Sequence, residues 1–179
     1  MILNSDLILY HPLWEKADVF FCNKDAVCLF NRLIDIYLIA CSIGIKEDKT
    51  VTEIQYPLEN PKSIGRNTYM SMQNSDLSDA LYIMLQNALI NTKTLDLELD
   101  ERLKLAFDPE YNTGKLSAAS LLNGFANYGI EQIFEHVTSE SSLAAIDQMY
   151  KYLESMVDSN YEQLLNNITL EELSKLVND

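Results

Sequence analysis

Apolar residues along this chain recur mostly at the i, i+3, i+4 and i+7 positions of amphipathic helices, and only briefly with the alternation of a strand. Residues 7–14 are apolar but interrupted by proline, which predicts a short extended piece turning into a helix whose first turn holds Pro12, with Trp14 as a packing anchor. Asn23 or Asp25 is the expected cap of a helix through Ala40, with Leu29, Leu33, Ile36, Tyr37 and Ala40 on one side. Phe30, Ile34, Leu38 and Ile39 load the other side, so this helix is expected to be central, with Gly44 as its left-handed C-terminal residue. The pattern then changes. A charged turn leads into a strand-like alternation over 51–56, punctuated by Pro57, Pro61 and Gly65.

Beyond that point the chain reads as helix upon helix. Ser75 and Asp76 open one that carries Leu77, Leu81, Met84, Leu85, Ala88 and Leu89 on a broad face. A short helix over 99–107 is stopped by Asp108-Pro109. Residues 116–137 carry Leu121, Leu122, Phe125, Ile130, Ile133 and Phe134, and residues 139–157 carry Leu143, Ile146, Met149, Tyr150 and Leu153. Ser159 with Glu162 and Thr169 with Glu172 have capping-box spacing and predict two short terminal helices. The expected fold is mainly α: a compact multi-helix domain with one short β-strand or hairpin near 50–57. It forms a single domain over 1–179, with a strand and loop insertion at 46–67.

Composition adds limits. With 179 residues, 47% of them hydrophobic, the chain can bury one core without disulfide staples. Cys22, Cys28 and Cys41 have no C-x-x-C spacing, and the N-terminus lacks the basic and small-residue signature of a secretory signal, so a reducing cytoplasm is the expected location. Residues 27–45 are long enough to span a bilayer, but Asn31, Arg32 and Asp35 argue for a core helix instead of a membrane anchor. The net charge of −14 is unevenly spread. Residues 1–70 hold 7 basic and 9 acidic residues, whereas 71–179 hold 6 basic and 18 acidic. An acidic helical body repels phosphate backbones, so direct nucleic-acid binding is confined to a local positive patch around Lys46, Lys49, Lys62 and Arg66.

Most catalytic chemistry lacks its residues. His11 and His136 are the two histidines; Glu135, His136 and Glu140 offer too few ligands for a metal, and Cys22 with His11 makes a nucleophile and base only if the fold joins them. The acidic run from Asp96 lacks the glycine and the final glutamate of a calcium loop, and the five glycines form no phosphate-binding motif. No metal and no cofactor is expected. The residues expected to touch a partner are Arg32, which otherwise pairs with Asp35 at i+3, Lys46, Lys49, and Arg66 with Asn67 in the 63–68 loop.

The apolar run 30–45 closes on Gly44-Ile45 and leads into Lys46 and Lys49. Together with 122–130, Leu-Asn-Gly-Phe-Ala-Asn-Tyr-Gly-Ile, it resembles small accessory proteins of bacterial DNA-phosphorothioation and related anti-phage defence systems. The resemblance covers about 30 residues, carries no catalytic signature, and implies a cytoplasmic, noncatalytic component that assembles with larger defence proteins. The expected function is thus an accessory or adaptor subunit bound to a protein partner. The alternative is an acidic inhibitor that mimics nucleic acid in a basic groove. An enzyme would need an unrecognised pocket around Cys22 or His136; a DNA-binding module would act through 46–66.

Overall fold

The computed structural model describes residues 3–22, 28–71, 75–108, 111, 114, 116–139 and 141–167, with backbone alone for Ser75 and 158–167. Among these residues the order is β1 (Leu7–Leu9), α1 (Leu13–Phe21), α2 (Leu33–Glu47), β2 (Lys62–Ile64), α3 (Arg66–Met70), α4 (Ser75–Asn91), α5 (Leu99–Phe107), α6 (Ala118–His136) and α7 (Ser142–Asn167). The protein is mainly helical with a small two-stranded antiparallel sheet, as the periodicity predicts. No helix among the described residues is long and apolar enough to cross a membrane.

The core is built on α2 against α6. Ile34, Ile36, Tyr37, Ala40 and Cys41 of α2 and Leu122, Phe125, Ala126, Ile130 and Ile133 of α6 are buried; fully burying a large aliphatic or aromatic side chain is worth about 1.5–3 kcal/mol. Two glycines set how closely these helices approach. A Cβ on Gly44 would lie 2.2 Å from the Phe125 carbonyl oxygen, and one on Gly129 would lie 1.8 Å from that of Ala40. Both obstacles are backbone, which has no rotamer to escape into, so any side chain larger than hydrogen forces the helices apart.

That seam corrects the reading of Gly44, which lies inside α2 instead of ending it. The helix runs on to Glu47, and Asp48 takes the left-handed conformation at φ 54°. Asp48 N–H donates to Ile45 O at 3.2 Å and Lys49 N–H to Gly44 O at 3.0 Å, so the last carbonyls are satisfied in a Schellman arrangement. Aspartate is among the few non-glycine residues that adopt this conformation readily. The start of α2 is corrected too. The expected caps, Asn23 and Asp25, lie outside the described residues, and the helix opens at Leu33 because Leu29 and Phe30 N–H both donate to Phe21 O, at 3.1 and 3.0 Å. The end of α1 thereby captures 29–30 and keeps them out of α2.

The strand expected over 51–56 is irregular chain; the small sheet is elsewhere, with Leu7 opposite Ile64, Ile8 opposite Ser63 and Leu9 opposite Lys62. The physical reason is that α6 takes the hydrogen bonds of Val51. Its N–H donates to Gly124 O at 2.9 Å, and its carbonyl accepts from Asn127 Nδ2 at 3.2 Å. The 46–67 insertion accordingly begins inside α2 and contains β2 and the start of α3.

Other expectations hold. Trp14 is fully buried with its indole N–H on Asn127 Oδ1 at 3.0 Å, while Pro12 stands at the N-cap of α1, one residue ahead of the first turn expected to hold it. α4 and α5 begin where expected; α6 is capped by Ser117, whose side chain accepts from Ser120 N–H. α7, in contrast, is continuous through 159–162, so that capping-box spacing falls in a helix interior; the box at 169–172 lies outside the described residues.

Candidate functional site

The residues expected to touch a partner are not gathered in one place. Arg32 precedes α2 and pairs with Asp35, Nη2 to Oδ1 at 2.9 Å, the acid that also suits the positive end of that helix. Lys46 is in the last turn of the same helix, about 21 Å away along its axis. Lys49 donates to the Tyr128 hydroxyl at 3.2 Å and lies 3.7 Å from Glu47 Oε2, while Tyr128 donates its own proton to Glu47 at 2.7 Å. Arg66 and Asn67 are exposed at the start of α3, where Arg66 N–H is held by Asp6 Oδ1 at 2.7 Å. Lys62 is paired with Asp18 at 2.8 Å. Acids therefore accompany Arg32, Lys49 and Lys62, and their sites are spread over the surface of the fold.

The Cys22–His11 pairing is not made. His11 Nε2 is engaged by Glu131 at 3.0 Å and its Nδ1 accepts from Leu13 N–H, while burial, with Asp18 and Asp35 nearby, pushes the Cys22 thiol up to about 11. A thiol so protonated is a poor nucleophile. Burial raises Cys41 further. His136 stacks on Tyr152 with centroids 4.0 Å apart, its Nδ1 2.9 Å from Gln132 O. Glu140, its expected companion, lies outside the described residues, among which no three His, Cys, Asp or Glu side chains are grouped as for a metal.

Lys46 nevertheless occupies an informative position, on a ridge of α2 between two grooves. Toward α4 a groove of about 560 Å³ is lined mainly by polar groups, Ser42, Lys46, Asp48, Asn87, Asn91 and Lys93. Asp48 anchors its far wall: the carboxylate accepts from Lys93 N–H at 2.7 Å, Thr94 N–H at 3.0 Å and the Thr94 hydroxyl. Burial works against that charge, but the Thr94 hydroxyl and the two N–H groups outweigh it and hold the carboxyl below its ordinary range.

Toward α7 the second groove, about 280 Å³, is mostly apolar, lined by Ile39, Ile43, Leu153, Met156 and Val157 with Ser42 and Lys46 at its rim. α7 packs on α1 and α6, and this groove lies between it and α2. Its uncovered side carries Leu143, Tyr150 and Val157, exposed by 66%, 62% and 54%, at a seven-residue spacing that spans about 21 Å of helix. Asp147, paired with Lys151 at 2.8 Å, and Glu154 are exposed along one flank of that row. The arrangement has the form of half of a helix–helix seam.

The chain matches no family model, no curated protein and no solved structure. The helical pattern over 139–157 sets Leu143, Ile146, Met149, Tyr150 and Leu153 together; the structure separates them, with Met149 buried and Leu143 and Tyr150 in an exposed row. The signal was present as the i, i+7, i+14 recurrence of Leu143, Tyr150 and Val157 beside Asp147 and Glu154.

Proposed function

We propose that the chain is a noncatalytic, cytoplasmic accessory or adaptor subunit that docks on a larger prokaryotic protein complex through the α2–α7 groove. The observation that carries this reading is the exposed row Leu143, Tyr150 and Val157, whose last member lines an apolar groove. Burying such a row against a helix follows coiled-coil logic, in which apolar positions supply the affinity and flanking charges choose the partner. The occupant is an amphipathic helix of another protein with basic residues on the side that meets Asp147 and Glu154. A second copy of this chain fits poorly, because pairing the row with itself would bring those acids together in a chain of net charge −14. The resemblance to defence accessory proteins supplies the setting, an anti-phage assembly.

The test is recovery of partners by the tagged full chain in its native host, at low and high salt, beside a Tyr150→Asp/Val157→Asp variant with an unchanged melting temperature. A stoichiometric partner that survives high salt and is lost from the variant supports the reading. A partner recovered equally by both proteins overturns the groove, and one lost at high salt regardless of the variant favours the acidic mimic instead.

A further inference from the structure

A second face, remote in sequence from the first, also sets an exposed apolar row among acids. Leu99, Leu103 and Phe107 follow one another at i, i+4 and i+8 along α5 and are 56%, 37% and 59% exposed. They form an apolar row about 12 Å long. Leu105, on the opposite side of the helix, and Ala106, which borders the row beside Leu99, are the residues that enter the core. On α4, the Tyr82 hydroxyl donates to Ala106 O at 3.4 Å, which places that ring beside the Phe107 end of the row.

The surroundings of the row are acidic. Asp96, Glu98 and Asp100 are exposed just before it and along its flank. The nearest arginine does not neutralise them, because Arg102 is turned inward: its Nε donates to Leu89 O and its Nη2 to Ile90 O and Thr92 O, closing the carbonyl end of α4. Lys104 leans over the Tyr111 ring, 5.9 Å from its centroid.

We infer that the outer face of α5 binds a basic amphipathic helix presented by a partner protein. Leu99, Leu103 and Phe107 take its apolar side, and Asp96, Glu98 and Asp100 select lysine and arginine at its edges. Charge decides the occupant. A second copy of this face, an anionic lipid surface and a nucleic-acid backbone all bring negative charge against three carboxylates. This inference is independent of the α2–α7 groove and stands or falls without it.

The experiment uses three labelled peptides titrated into the full chain and read by fluorescence anisotropy. One has Leu at i, i+4 and i+8 with Lys on both flanks; one has the same Leu pattern with Glu flanks; one is a scramble of the first. The lysine peptide is expected to bind about tenfold or more tightly than either of the others. Leu103→Asp is expected to weaken it about tenfold, Glu98→Gln with Asp100→Asn to cut its preference over the glutamate peptide about threefold, and Val157→Asp to leave it unchanged. Should Leu103→Asp lower the melting temperature, Phe107→Asp, at a more exposed position, replaces it. Equal binding of the lysine and glutamate peptides, equal binding of the scramble, or indifference to both α5 variants overturns the inference. Loss of binding in Val157→Asp alone moves the peptide to the α2–α7 groove, which overturns this inference and leaves the groove reading standing.

Discussion

The two sides of α2 solve opposite packing problems. Against α6, Gly44 and Gly129 bring backbones so close that a single methyl group would meet a carbonyl oxygen. Against α7, Ile39, Ile43, Leu153 and Met156 leave a gap of about 280 Å³ that ends in the exposed Val157. One side leaves no room for change and the other is open to a visitor. The difference lies in what fills the space between helix axes: on the α6 side nothing but hydrogen separates the main chains at Gly44 and Gly129, whereas on the α7 side longer side chains leave a groove between the helices. A rigid scaffold that exposes an apolar groove is the division of labour expected of a docking protein.

That contrast breaks most readily at the glycines. Gly129→Ala is expected to destabilise the protein by about 3 kcal/mol or more, lowering Tm by about 10 °C, with Gly44→Ala somewhat milder; calorimetry or denaturant unfolding reads both. A Gly129→Ala protein that melts with the wild type would show that the helices can part without cost, and the seam would lose its role.

The irregular segments depend on α6 as well. Asn127 accepts from the Trp14 indole and donates to Val51 O, while Asn123 donates to Ile8 O and accepts from the Tyr37 hydroxyl at 2.9 Å. Asn127→Ala orphans a buried indole N–H and a carbonyl, for an expected loss of about 2 kcal/mol in urea unfolding. Arg102→Met, which frees the carbonyl end of α4, is expected to cost about 1–2 kcal/mol and to speed amide exchange in the 92–98 connection.

How much of this could be read from the sequence depends on whether the deciding contact was local. The helix of α5 was legible to the residue, because its periodicity and the Asp108-Pro109 stop lie within one short stretch. Trp14 as an anchor was legible from its size and apolar setting. Gly44 was not: a glycine at the end of an apolar run looks like a cap, and only the Phe125 carbonyl, 81 positions away, reveals a close approach. The alternation at 51–56 satisfies a strand's pattern, but α6 satisfies Val51's hydrogen bonds, a distant choice that no window of sequence contains. Cations such as Lys46 and Arg66 were correctly expected at the surface, and their dispersal by the fold follows from elements that meet only in three dimensions.

Smaller effects sharpen the picture of α2's end. The Asp48 carboxyl is held below its ordinary range, so its contribution is present above the unfolded value, about 3.9, and is lost as pH falls through the lowered folded value. Protection of the Lys93 and Thr94 amides is therefore expected to fall in acid below about pH 4, and Asp48→Asn is expected to flatten that dependence in hydrogen-exchange measurements. A wild-type profile that is flat in acid would show that the Thr94 latch does not need the charge.

The smallest expected change in stability is also the most informative. Tyr150→Asp with Val157→Asp replaces two exposed side chains and is expected to shift the unfolding free energy by no more than about 0.5 kcal/mol each. The measurement that tests the account most directly pairs this variant's melting curve with its recovery of protein partners in the native host, against the wild type. An unchanged melt with the stoichiometric partner gone is the predicted result. An unchanged melt with the partner retained in full would contradict the assignment of the α2–α7 groove as the docking site.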